Sequence, residues 1–111
     1  MNSPTDWFRR LLGGADRSTD SAATASAQLE LARAHARNGK YVDASRVYAQ
    51  LCRRSPSIAT RVEYAQLLLE LGDSFGAAAE SSRVLDSDPE NAAALEIRRQ
   101  VIRMEEAERR K

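Results

Sequence analysis

His35 and Cys52 are the side chains in this sequence best suited to nucleophilic or proton-transfer chemistry, and each is the only residue of its type. A thiolate–imidazole pair works only when the two groups lie within hydrogen-bond reach and a third group orients the base. Here they fall on different expected helices, and no orienting partner can be assigned to either. Cys52 sits in Leu51-Cys52-Arg53-Arg54, where the arginines would lower the thiol pKa if the sulfur were exposed. A lone free cysteine on a packed helix is more often a small buried apolar residue, and Cys52 is read that way. His35 is read as a structural, half-buried side chain. Metal binding lacks ligands, because there is no second histidine and no Cys–His spacing of a zinc site. The glycines are turn glycines and form no phosphate loop. These residues point away from an enzyme, and no cofactor or metal is expected.

The elements that position them are helical. Ala, Leu, Arg and Glu dominate the 111 residues, aromatics make up 5 %, and no run alternates as a strand does. The length suits one domain with a modest core. Lys and Arg number 17 against 16 Asp and Glu, a net charge of +1. That balance argues against a nucleic-acid binder, which usually carries a clear basic excess. One cysteine excludes an internal disulfide, and hence a secreted disulfide scaffold. No apolar run approaches a membrane span. Arg9 and Arg10 split the apolar residues near the N-terminus, so a signal peptide is not expected and a cytoplasmic location is the default reading.

A period organises most of the chain. Asn38-Gly39 returns as Leu71-Gly72, Ala44 as Ala77, and Ser55-Pro56 as Asp88-Pro89, each thirty-three residues later. A fixed period in this range marks a stack of similar units, none of which buries its apolar face alone. The pattern predicts helices from about Ala22 or Ala25 to Arg37, over Tyr41–Arg54, over Ile58–Leu71 and over Ser74–Ser87. A further helix is expected from Glu90 to about Arg109, with Asp88 as its N-cap and Pro89 in its first turn. Leu29, Leu31, Ala32 and His35 supply the first helix, and Ala44, Val47, Tyr48 and Leu51 the second. Ala77, Ala78, Ser81, Val84 and Leu85 are expected to point inward from the fourth, and Leu95, Ile97, Val101, Ile102 and Met104 to cover the stack from the last.

These residues resemble the tetratricopeptide repeat, a helix-turn-helix unit of about 34 residues. In the first copy Leu31-Ala32, Gly39, Tyr41, Ala44, Tyr48, Leu51 and Pro56 fit the family's pattern, with His35 where an aromatic is usual. In the second copy Tyr64-Ala65, Gly72, Ala77, Val84 and Asp88-Pro89-Glu90-Asn91 fit. Gln28 and Arg61 replace the first-helix aromatic, Ser81 stands opposite Tyr48 in the repeat, and Phe75 falls one place later than Tyr41. The second unit is therefore expected to pack more loosely or to shift its internal turn by one residue. The resemblance implies an all-α, right-handed array of helical hairpins, with repeats at 25–57 and 58–91 and a capping helix at 90–109. A short amphipathic segment (1–14) and a Ser/Thr/Asp-rich linker (15–24) precede it.

The same resemblance implies a non-catalytic adaptor that receives a protein or peptide in a concave groove. The lining it implies is Leu29, Glu30, Arg33, Ala36 and Arg37 from the first repeat and Val62, Glu63, Gln66, Leu69 and Glu70 from the second. Ile97, Gln100, Arg103 and Met104 follow from the last helix. Some members clamp a peptide's C-terminal carboxylate with Asn and cationic residues. Here those are largely missing, and Glu63 and Glu70 would repel the carboxylate. A lining of apolar patches and both charge signs suits an amphipathic helix instead, although its apolar members could equally pack within the array.

Outside the repeats, Trp7-Phe8-Arg9-Arg10-Leu11-Leu12 is the sharpest feature. In a helical conformation Trp7, Phe8, Leu11 and Leu12 share one face. Three readings stand: a membrane-surface anchor, with the protein a peripheral scaffold; docking onto the array or onto a second copy of the chain; and a loosely packed tail.

Overall fold

The computed structural model describes residues 23–111, and the described residues are all-α. Helix α1 covers residues 23–37, followed by α2 (Tyr41–Arg54), α3 (Ile58–Glu70), α4 (Ser74–Ser87) and α5 (Ala92–Arg109). The amphipathic segment at 1–14 lies outside the described residues, as does most of the linker.

Both hairpins turn in the same way. Gly39 and Gly72 adopt φ of 76° and 78°, the left-handed region in which a side chain would be strained. Each follows the last turn of a helix. Lys40 N–H donates to the His35 carbonyl and Asp73 N–H to the Leu68 carbonyl, both at 2.8 Å. Gly39 N–H and Gly72 N–H reach the carbonyls of Ala36 and Leu69 at 3.1 and 3.0 Å. This paired pattern satisfies carbonyls that a helix end leaves free. Since α2 starts at Tyr41 and α4 at Ser74, the period is kept and the expected one-residue shift does not occur. Phe75 is simply left outside, 85 % exposed.

The junctions are capped differently from one another. Ser57 accepts from Thr60 N–H at the start of α3, and Asp73 accepts from Gly76 N–H at 2.8 Å at the start of α4. The helix at the end of the array departs from expectation. It begins at Ala92, and its N-cap is Asn91, whose side chain accepts from Ala94 N–H at 2.9 Å. Asp88 instead closes α4, with its own N–H on the Val84 carbonyl, and its carboxylate accepts from the Asn91 side chain at 3.2 Å. Pro89 and Glu90 form the turn between them.

Two small cores hold the stack. The first joins Ala32, Ala44, Tyr48 and Leu67, and the second joins Ala65, Leu68, Ala77, Ile97 and Val101. Helix α3 serves both, and the half-buried Tyr64 packs against each. Its ring stacks on Tyr48 with centroids 6.2 Å apart. Ala32, Ala44, Ala65 and Ala77 have no exposed surface, which lets the helix pairs approach closely. Two expected inward residues are outside. Leu31 is 43 % exposed because α1 has no described helix on its other flank. Ile102 is 49 % exposed because α5 meets the array only through Ala94, Ile97 and Val101, one stripe at helical spacing.

Candidate functional site

A cleft of about 500 Å³ opens along the inner faces of α1, α3 and α5. Ala36 comes from the end of α1, Glu63, Gln66, Leu67, Leu69 and Glu70 from α3, and Ala93, Glu96, Ile97 and Gln100 from α5, while Tyr41 and Tyr48 of α2 close one side. Its floor is apolar. Its charges are three carboxylates, Glu63, Glu70 and Glu96, with no Lys or Arg in the lining.

Seven residues expected from the sequence meet here: Ala36, Glu63, Gln66, Leu69, Glu70, Ile97 and Gln100. Ile97 is 2 % exposed, so it is a core residue that also floors the cleft rather than a free contact. The other expected residues lie elsewhere. Leu29 and Val62 are half-buried against the two cores, Met104 is half-buried further along α5, and Glu30, Arg37 and Arg103 are exposed and outside the lining. Trp7, Phe8, Leu11 and Leu12 are outside the described residues.

Arg33 lies beyond the lining but governs it. Its guanidinium donates to both Glu63 oxygens, Nε to Oε1 at 2.9 Å and Nη2 to Oε2 at 2.8 Å. A second arm reaches Glu30 at 2.9 Å. The Tyr48 hydroxyl donates to Glu63 Oε1 at 3.1 Å. These donors, Arg33 first, hold the Glu63 carboxyl below the usual carboxylate range, against the opposing effect of burial. The Arg33 pKa is raised in return by its bonds to Glu63 and Glu30. Burial, with the Glu63 charge adding to it, pushes the Tyr48 phenol up to about 12. Glu63, expected to repel anions, is therefore a neutralised strut between α1 and α3.

Glu96 is held in a looser way. Arg99 donates to it at 2.9 Å and Gln100 and Arg103 at 3.3 Å; the three donors are exposed and Glu96 is half-buried. Arg99, then Gln100, lowers its pKa. Glu70 is exposed and has no ion-pair partner among the described residues. Among the described residues it is the one carboxylate of the cleft without a cation beside it.

The residues considered for chemistry are not in this cleft. Cys52 is buried, and burial first, then the Glu80 charge, raises its thiol pKa, which opposes thiolate formation. His35 is half-buried in α1. No group of His, Cys, Asp and Glu suited to a metal is found among the described residues, and none of their helices is long and apolar enough to cross a membrane.

The sequence reading missed Tyr41, Tyr48, Ala93 and Glu96 as lining. It drew the lining from first helices of repeats, which excludes α2, and it began the lining of α5 at Ile97, one turn past Ala93. Opposite charges at Arg33 and Glu63, on successive first helices, were the available signal for the strut.

Five helices alternating in paired, identically turned hairpins around two alanine-centred cores define a helical repeat array. Residues 25–67 match the family model of the tetratricopeptide repeat. That match, with the helical array, supports assigning the chain to the tetratricopeptide-repeat family. No curated protein and no solved structure matches it. Repeats of this family generally mediate protein–protein interaction.

Proposed function

We propose that this protein is a non-catalytic adaptor whose cleft between α1, α3 and α5 receives an amphipathic helix of a partner protein. The observation that carries the reading is the lining itself: an apolar floor of Leu69, Ile97, Ala36 and Ala93 edged by Glu70, Gln66 and Gln100. An amphipathic helix laid in such a groove buries one face and leaves its polar side for the rim. Glu70, without an ion-pair partner among the described residues, favours a partner whose rim-facing residues are cationic and disfavours a peptide carboxylate. Arg33, Glu63 and Arg103 tune the electrostatics of the rim, and Leu29 and Val62 support it through the two cores.

A photo-crosslinking residue at Gln66, compared with one at the exposed Ser82 of α4, tests the reading in the native host. The same protein captured through Gln66 and missed through Ser82 supports it; capture through Ser82 alone removes the cleft from the interaction. The paired reversals Arg33→Glu and Glu63→Lys should each lower capture through Gln66 while the protein stays folded.

A further inference from the structure

We infer that the cleft has an occupant within the chain, the segment Trp7–Leu12, acting as a reversible plug that a partner must displace. The inference rests on the reading of the cleft as a peptide site, and three observations carry it further.

The first is charge. The lining presents carboxylates and no cation, and Glu70 has no ion-pair partner among the described residues. The segment sets Arg9 and Arg10 between Trp7-Phe8 and Leu11-Leu12, so it offers cations and bulky apolar groups together, the chemistry that an apolar floor edged by Glu70 recognises, with Glu96, already shared by Arg99 and Arg103, beside it. The second is size. A cleft of about 500 Å³ is in the range of a small-ligand pocket. It takes the few large side chains that one face of a short amphipathic helix presents. In a helical conformation Trp7 and Leu11 stand one turn apart and could enter together. The third is reach. Residues 13–22 link the segment to the first described residue of α1 and span up to about 33 Å when extended. The cleft begins at Ala36, about 20 Å along α1 from residue 23. A tether of that length holds the segment at an effective concentration on the order of millimolar, so even weak docking fills the cleft.

Trp7 is the only tryptophan, and its emission in the full chain reports the occupant directly. Expected are an emission maximum to the blue of the free synthetic peptide 1–14 and several-fold weaker acrylamide quenching. Both should be independent of protein concentration and reduced by salt. Glu70→Lys and Glu96→Lys should move both values to those of the free peptide with the helical circular dichroism unchanged. Wild-type Trp7 behaving as the free peptide overturns the plug. So does a shielded Trp7 indifferent to both variants, which would place it elsewhere. A blue shift that grows with protein concentration and with dimer mass, or one that needs anionic lipid vesicles, overturns it in favour of a second copy or a membrane. A labelled Lys/Leu amphipathic peptide added in trans separates this inference from the reading beneath it. If the plug exists, Trp7→Ala with Phe8→Ala should tighten that peptide's binding by about tenfold, as a competing state is removed. Binding that is equal with and without those substitutions leaves the cleft a peptide site and overturns the plug. No binding to either form, with Trp7 exposed, overturns both.

Discussion

The two hairpins share one backbone and fill it in different ways. Ala44 and Ala77 sit at equivalent points with no exposed surface, and the turns before them have the same geometry. One turn later the first hairpin places Tyr48, 4 % exposed, and the second places Ser81, 1 % exposed. The ring of Tyr48 spans the first core and reaches Tyr64 and Glu63. Ser81 spans nothing; its hydroxyl donates back to the Ala78 carbonyl at 3.0 Å. The second hairpin gains its link from neighbouring positions. Where the first has Gln28 and Val47, the second has Arg61 and Glu80, paired at 3.0 Å across α3 and α4, with Arg83 also on Glu80. Glu80 is 6 % exposed, so this ion pair takes the place of the missing aromatic in tying the helices together. The lesson is that the repeat fixes the close approach of helices through alanine and the turn through glycine, while the filling between them is negotiable.

That contrast can be broken most severely at α5, which completes only the second core. A chain cut after Asn91 uncovers Ala65, Leu68 and Ala77, and cooperative thermal unfolding should be lost or the protein should aggregate. A monomeric product with an unchanged melting temperature would mean that α5 covers nothing. Tyr48→Ala should then cost about 3–5 kcal/mol, the usual range for emptying a buried aromatic site. Its counterpart Ser81→Ala should cost below about 1 kcal/mol, since it removes one local hydrogen bond. Urea unfolding of the two variants measures the difference, and equal losses would show that the hairpins are filled alike.

Ala44→Leu and Ala77→Leu force three carbons into close-packed crossings and should each cost about 1–3 kcal/mol by the same measurement. An unchanged midpoint at either position would contradict the shared register. Arg61→Gln copies the first hairpin's residue into the second and leaves Glu80 with Arg83 alone. The expected loss is about 1–2 kcal/mol, and no loss would mean that the pair links nothing.

The smallest effect is in pH. The Glu63 carboxyl has a lower pKa folded than unfolded, so its contribution is complete above the usual carboxylate range and is lost as pH falls through the folded value. Being partly exposed, it should amount to less than about 1 kcal/mol, and Glu63→Gln should flatten that portion of the acid limb in denaturation curves. Tyr48 acts at the other end. Its phenol rises from 10.0 to about 12 on folding, so its contribution holds below pH 10 and is lost between those values.

Much of this architecture was legible because period and packing share a cause. Glycine in a left-handed turn and alanine at a crossing are both required by backbone geometry, so they recur in type and spacing. The start of α5 was harder to read, since Asp88 and Asn91 are both good N-caps and Pro89 suits a first turn. Only the closure of α4 by Asp88 decides between them. The cleft was legible in α3, where Glu63, Gln66, Leu69 and Glu70 follow one face. It was obscured at its ends, because Tyr41 and Tyr48 enter from a second helix and Ile97 is committed to the core. Glu63 was misread for a different reason: its charge is visible in the sequence, but its neutralisation by Arg33 and Tyr48 depends on how neighbouring helices sit.

The outer flank of α5 bears on assembly. Counted from their N-caps, Ser57 and Asn91, the helices α3 and α5 place Ala65 and Leu68 in register with Arg99 and Ile102. In α3 that flank is buried against α4. In α5 it is exposed, with Arg99 paired to Glu96. A repeat stack is a head-to-tail polymer in miniature, and an apolar end face would let further copies add without closure. Arginine at the position where α3 has a buried alanine makes each such addition desolvate a charge. The flank that leaves Ile102 exposed thus carries a charge that a copy stacking on it would have to bury, and replacing Arg99 by an apolar residue would lower that barrier.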